Sequence, residues 1–137
     1  MTLQFIKNHI LLDTHTFLWL TNELYASLLS EEAKSLFLKP QTDFYLSLAS
    51  IWEMAIKVKI GKRNFPVSLR EFISQQLPQN GIKILNIKLE HVIEVADLPL
   101  HHRDPFDRLI IAQALVENMP IVSVDKVFDA YGVQRLW

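Results

Sequence analysis

The chain has 137 residues, a net charge of -1 at pH 7 and no cysteine. This length predicts a single domain over residues 1–137 with a real core, and a chain that is half apolar and 21% charged is not disordered. The lack of cysteine excludes disulfides, thiolate metal sites and cysteine nucleophiles. Because the net charge is close to zero, binding of a polyanion would need a local basic patch or metal ions.

The N-terminal residues 1–10 contain no long apolar run, which argues against a signal peptide. No stretch has the length of a membrane span, so we expect no membrane association and a cytoplasmic location. Residues 1–8 suggest no function.

The first half of the chain alternates short apolar runs with helical patterns. The predicted elements are a strand at 9–13, helices at 14–20 and 30–38, a strand at 44–46 and a helix at 48–60. Ser47 is a candidate cap for the last of these helices, and Gly61 suits its C-terminal end. That helix is apolar nearly all round, which predicts that it is covered on both sides.

The second half continues the pattern. We expect helices at 68–77 and 89–96, a strand at 82–87, a loop at 98–103, a long helix from 105, a strand at 120–125, a short helix at 126–132 and an edge strand at 133–137. Pro78 and Gly81 should end the helix that begins at 68.

The long helix has the clearest start and stop signals. Asp104 suits the N-cap, Pro105 suits the first helical position, and Asn118 followed by Pro120 should end the helix. Asp107 lies three residues after Asp104, so both carboxylates fall at the positive end of one buried helix.

Strands separated by helices predict an α/β fold: a three-layer α/β/α sandwich around a parallel sheet of about five strands. Right-handed crossovers place the carboxyl ends of all strands at one edge. Asp13, Asp107 and Asp125 follow strands or open helices at that edge, and Asp104 and Glu53 are further candidates. Together they predict a crevice lined by carboxylates.

Each residue also has a structural interpretation. In this interpretation the aspartates are N-caps with no further role, and Glu53 forms a surface pair with Lys57. Basic residues 57, 59, 62 and 63 either complement a helix end or contact a phosphate backbone. His101 and His102 are adjacent in a loop, so solvent exposure or contact with substrate phosphate is favoured over metal ligation.

A cluster of carboxylates needs a neutralising partner, since two of them about 4 Å apart repel by about 4 kcal/mol at an effective dielectric of 20. Oxygen-only ligands favour a hard cation, Mg²⁺ or alternatively Mn²⁺. Such a cation can activate water and clamp phosphoryl oxygens, which suits phosphodiester hydrolysis without a side-chain nucleophile.

Four segments resemble the motifs of PIN domains, most closely those of the VapC ribonuclease toxins of bacterial type II toxin–antitoxin systems. The segments are LLDTH at 11–15, SIWE at 50–53, HRDPFDRLIIAQA at 102–114 and VSVD at 122–125. The resemblance covers nearly the whole chain, and the third segment is the most specific.

The resemblance implies a metal-dependent endoribonuclease that inhibits growth until a cognate antitoxin neutralises it. The implied ligands of Mg²⁺ are Asp13, Glu53, Asp107 and Asp125. Asp107 is preferred over Asp104 because it directly precedes the Leu-Ile-Ile-Ala run, and Ser123 would orient a water or a phosphate. The resemblance also implies an RNA substrate, a homodimer, and an antitoxin segment across the active-site groove.

Two other functions compete with this one. A phosphatase-like enzyme could use Asp13 as a covalent nucleophile. Such enzymes carry a second acid shortly after the first, and here the residues from Thr14 to Thr16 include no acid. A catalytically silent PIN-like module could bind RNA or protein, although it would have no reason to keep a full set of repelling acids. The apolar residues 17, 19, 20, 37 and 38 either belong to the core or form a partner surface.

Overall fold

The computed structural model describes residues 8–137. Most of residues 1–10, from which the absence of a signal peptide was predicted, lie outside this described part. The strands are β1 (Asn8–Leu12), β2 (Thr42–Ser47), β3 (Ile82–Leu85), β4 (Ile121–Val122) and β5 (Arg135–Leu136). They form one sheet in the order β3-β2-β1-β4-β5, and every neighbouring pair is parallel. The predicted parallel five-stranded sheet is confirmed, with β5 at an edge.

Helices connect the strands. They are α1 (Thr14–Leu20), α2 (Glu31–Phe37), α3 (Leu48–Lys59), α4 (Leu69–Gln79), α5 (Leu89–Asp97) and α6 (Pro105–Val116), with 3₁₀ segments at Ala26–Leu28 and Lys126–Tyr131. Within residues 8–137, no helix is both long and apolar enough to cross a bilayer.

The core lies on both faces of the sheet because side chains alternate along each strand. Leu12 packs with Phe17 of α1 and Phe72 of α4 on one face, and Leu11 packs with Ile110 and Ile111 of α6 on the other. Each of these side chains is at least nine-tenths buried. The layered α/β/α architecture follows from this two-sided burial.

Several predicted boundaries were wrong; strand β5, for example, covers Arg135–Leu136 instead of 133–137. Helix α4 continues through Pro78 to Gln79, because a proline in the last turn removes only the one hydrogen bond that its N–H would have donated to the Ser74 carbonyl. Strand β4 covers two residues instead of six, although the Ser123 backbone N–H still donates to the Leu136 carbonyl at 3.2 Å.

Helix α3 is not covered on both sides as expected. Its buried face holds Met54 together with the small and polar residues Ala49, Ser50 and Glu53. Large apolar side chains recur every fourth residue on the outer face, as far as the C-cap Ile60, and are 38–58% exposed: Leu48, Trp52, Ile56 and Ile60. Composition alone could not reveal this arrangement, because it does not show that several apolar residues face outward while Ser50 and Glu53 face inward.

The start of α3 is tied to the middle of α6, and this positions both helices at the same sheet edge. The Ser47 hydroxyl caps α3 by accepting the Ala49 N–H at 3.0 Å, which confirms its predicted role. The same hydroxyl donates to the buried Gln113 side chain. Glu53 and Asp107, one on each helix, are therefore held in a fixed relation.

Candidate metal centre

Asp13 lies at the carboxyl end of β1 and is 4% exposed. One of its oxygens accepts the Thr14 N–H at 2.8 Å, and the other accepts the Ser123 hydroxyl at 2.8 Å. The Ser123 oxygen also accepts the Asp125 N–H at 3.0 Å. Ser123 thus links the acids that follow β1 and β4.

Asp107 lies in the first turn of α6, and its role differs from that of Asp104. Asp104 is the N-cap, because its carboxylate accepts the N–H groups of Phe106 and Asp107 at 2.8 and 3.2 Å. The Asp107 carboxylate is left to face the other acids. Asp104 therefore has a capping role, and the choice of Asp107 as the metal ligand stays a prediction.

The acids destabilise the charge on Asp107. Burial, followed by the charges of four neighbouring acids, raises the pKa of Asp107 to about 8; these acids are Asp13, Asp104, Glu53 and Asp125. Burial also raises the pKa of Asp13, against the hydrogen bond from Ser123 and the charge of His15. The other predicted acids therefore all act on the charge of Asp107, and no ion pair among residues 8–137 neutralises the cluster fully.

Glu53 lies near Asp107 and also forms the expected pair with Lys57, although it is buried and not at the surface. It is 7% exposed and close enough to Asp107 to raise the pKa of that carboxyl. One of its oxygens also lies 3.1 Å from the Lys57 ammonium group, in the expected i,i+4 pair. Lys57 is thus engaged at the site, and Arg63 is the other partly buried member of the basic cluster.

Asp125 is the most open of the four principal acids, with a side chain 39% exposed. One oxygen caps the following 3₁₀ segment by accepting the Val127 N–H at 3.0 Å. The other oxygen lies 3.6 Å from the Nε2 atom of His102. Capping therefore occupies one oxygen and leaves the second facing the crevice.

His102 enters the acid cluster, whereas solvent exposure or a phosphate contact was expected. Its Nδ1 accepts the Asp104 N–H at 3.1 Å, so the neutral ring carries its proton on Nε2. That nitrogen lies 2.9 Å from an Asp107 oxygen and donates to it. The side chain of His101, by contrast, is exposed. In this orientation His102 is a donor to the carboxylates.

Two residues that the sequence analysis missed hold the His102 loop in place. Arg108 is 9% exposed and donates to the carbonyls of Pro99 and Leu98 at 2.9 and 3.2 Å. The Tyr131 hydroxyl accepts the N–H groups of His101 and His102 at 3.0 and 2.7 Å. The only signal in the sequence was an arginine directly before the apolar run of a buried helix.

The donor set suits a hard divalent cation. Single ligand atoms of His102, Asp107 and Asp125 lie within 4.8 Å of one another. Because the His102 Nε2 carries a proton, the carboxylate oxygens are the available ligands, and Mg²⁺ or Mn²⁺ prefers such oxygens. A bound cation would also relieve the repulsion that raises the pKa of Asp107.

The sequence matches the PIN domain family over residues 10–134. Among curated protein sequences, none matches the chain significantly.

Several solved structures of toxin–antitoxin proteins share this fold. VapBC2 from Rickettsia felis, bound to promoter DNA, is 14% identical, covers 94% of this chain and 99% of that chain, and has a TM-score of 0.66. DNA-bound VapBC from Salmonella typhimurium is 13% identical, covers 93% of this chain and 96% of that chain, and has a TM-score of 0.67. VapBC-5 from Mycobacterium tuberculosis is 17% identical, covers 93% of this chain and 96% of that chain, and has a TM-score of 0.57. At these identities the likeness establishes the fold, and together with the family match it shows that the chain belongs to the PIN domain family.

Proposed function

We propose that the chain is a metal-dependent endoribonuclease that hydrolyses RNA phosphodiester bonds in the cytoplasm and acts as a growth-inhibiting toxin. The observation that supports this most strongly is the burial of Asp107 among four other acids, which together raise its pKa to about 8. A fold has no structural reason to gather mutually repelling carboxylates in a crevice unless a cation binds there.

Asp13, Glu53, Asp107 and Asp125 would hold Mg²⁺, or Mn²⁺ in its place. When bound, the cation would supply a polarised water and charge stabilisation at the phosphoryl oxygens. Asp13 is fixed for this task by the Thr14 N–H and the Ser123 hydroxyl. Ser123 would orient Asp13 and, through it, a water or phosphate. Asp104 would act by capping α6 and directing Asp107.

A toxin also needs a dedicated inhibitor. The structures similar to this chain include VapBC toxin–antitoxin complexes, which supports a small antitoxin protein as partner. We expect the antitoxin to bring an arginine or lysine to the carboxylates, where its charge would replace that of the cation.

The exposed apolar row on α3 supports a homodimer, because burial of that row would remove it from water. Of the aromatic and leucine side chains suggested for partner binding, Phe17 is core and Leu38 is 83% exposed.

The direct test is incubation of the purified chain with single-stranded RNA and Mg²⁺, with EDTA, and with Mg²⁺ restored after EDTA. We expect cleavage that EDTA abolishes and restored Mg²⁺ recovers, and mapping of the RNA ends would give the target sequence. RNA binding without cleavage would instead support the silent PIN-like module. A covalent phosphate on Asp13 would support the phosphatase-like enzyme. If the chain kept full ribonuclease activity in the presence of each small neighbouring protein co-expressed with it, the proposed antitoxin partner would be contradicted.

A further inference from the structure

A groove of about 620 Å³ has His15, near the start of α1, in its lining. One wall runs from His15 in α1 to Tyr25, and the opposite wall comprises residues 63–67 and part of α4. His15 lies two residues after Asp13, so the groove reaches close to the candidate metal centre. A chain cleaved at the acids could therefore continue directly into this groove.

Two aromatic side chains, His15 and Trp19, lie in the α1 wall of the groove. The ring centroids of His15 and Trp19 are 6.1 Å apart, and those of Trp19 and Trp137 are 5.9 Å apart. His15 is exposed, whereas Trp19 and Trp137 are partly buried, and the edge-on contact with Trp137 supports the indole of Trp19. A supported ring in a groove is a stacking surface for an unpaired base, since every base has an aromatic face.

The opposite wall offers polar groups without partners. Within residues 8–137, the side chains of Arg63, Asn64 and Gln75 make no hydrogen bond or ion pair. Arg63 is partly buried, but its unpaired guanidinium nitrogens stay accessible to solvent, so they are free to bind an anion. A guanidinium suits a phosphate, and side-chain amides suit the edges of bases. Among the residues that the structure describes, the only acid in the lining is Glu23, which is exposed.

We propose that this groove is a binding site for single-stranded RNA, in which one base stacks on Trp19 and a backbone phosphate binds Arg63. The proposal rests on the proposed ribonuclease function, because it assigns the groove to the strand that leads away from the scissile bond. Half of the lining is apolar or aromatic, and the other half includes the unpaired amide and guanidinium groups, so the groove offers both the stacking and the polar contacts that a nucleotide needs.

The test measures binding of a fluorescently labelled single-stranded oligoribonucleotide in EDTA, where no cleavage is expected, at several salt concentrations. Arg63→Gln should weaken binding about tenfold at low salt and reduce the slope of log K against log salt by about 0.7, the value for one phosphate contact on a single strand. The matched control is Arg70→Gln, which removes an exposed arginine from α4 outside the groove. The control should leave affinity and slope unchanged.

Trp19 gives an independent test because stacking carries no charge. Trp19→Leu should weaken binding about tenfold with an unchanged salt slope, and Trp19→Phe should restore most of the affinity. If Trp19→Leu fails to fold, Trp19→Phe and Arg63→Gln still decide the question. Wild-type RNA binding by Arg63→Gln and the folded Trp19 variant would overturn the proposal, even if those variants lost a protein partner.

The outcomes separate this proposal from the proposed function. Mg²⁺-dependent cleavage combined with unchanged binding in the groove variants would leave the nuclease standing and overturn the groove. RNA binding that depends on Arg63, in a protein that never cleaves RNA, would support the groove and refute the nuclease.

Discussion

Two clusters in this molecule combine histidine with acids, and they differ in whether the protein neutralises them. In the candidate metal centre, burial and neighbouring acids raise the pKa of Asp107 to about 8. In the second cluster, formed by Glu90, His91 and Glu117, the pKa of Glu117 is lowered, chiefly by its hydrogen bond to His91. The two clusters have ligand-type residues at similar distances and differ in the sign of the pKa shift, which favours the first as the functional site.

The second cluster is satisfied by its own surroundings. His91 is fully buried; its Nδ1 accepts the Lys88 N–H at 3.0 Å, and its Nε2 lies 2.9 Å from a Glu117 oxygen. The Lys88 ammonium group lies 3.4 Å from the same oxygen. These contacts tie the start of α5 to the end of α6, so a cation has nothing left to neutralise there.

The largest difference should appear when one acid is neutralised in each cluster. Asp107→Asn should reduce Mg²⁺-dependent RNA cleavage by more than about a hundredfold. Its melting temperature in EDTA should equal or exceed that of the wild type, because a buried and repelled charge is gone. The matched variant Glu117→Gln should cleave normally and lose about 1 kcal/mol of stability with its charged hydrogen bond.

Melting curves and initial cleavage rates of the two variants check this contrast. If Glu117→Gln lost activity and Asp107→Asn kept it, the clusters would have been assigned the wrong way round.

Glu53 tests whether an acid with an ion-pair partner still contributes to the site. Glu53→Gln should reduce cleavage by about a hundredfold, since the carboxylate faces Asp107 despite its contact with Lys57. Lys57→Ala, the control for the pair itself, should lower stability by more than the few tenths of a kcal/mol typical of an exposed pair, because Glu53 is buried, and should leave at least part of the activity. Equal effects of both changes on melting, with unchanged cleavage, would reduce Glu53 to a structural pair.

The pH dependence of stability should have opposite signs in the two clusters. The unfolded chain releases the Asp107 proton near pH 3.8, whereas the folded chain holds it to about pH 8. Stability of the metal-free protein should therefore fall as the pH rises between these values. The stability from Glu117 is present above pH 4.5 and is lost as the pH falls below that value, because its folded pKa is lowered.

Melting temperatures in EDTA across this pH range measure both effects. Asp107→Asn should remove the loss of stability that accompanies a rise in pH, and Glu117→Gln should remove the loss of stability that accompanies a fall in pH. Identical profiles for the wild type and both variants would contradict the two pKa shifts.

The residues that could be predicted were those whose signal is local. Asp13, Asp104 and Asp125 cap helical segments directly after strands or loops, so their positions follow from short sequence patterns and from the parallel sheet. The direction of His102 was not predictable, because it depends on Tyr131, which lies 29 residues further along the chain. The exposed face of α3 was missed because residue type does not show which side of an apolar helix meets the sheet.

The central claim is that the acid cluster is a cation site kept partly protonated until the cation binds. Calorimetric titration of Mg²⁺ into the wild type at pH 7, in two buffers of different ionisation enthalpy, measures the protons released on binding. With the pKa of Asp107 at about 8, we expect release of about 0.9 proton per Mg²⁺ at pH 7, near zero release at pH 9.5, and little binding by Asp107→Asn. Mg²⁺ binding without proton release at pH 7, or equally tight binding by Asp107→Asn, would contradict the account.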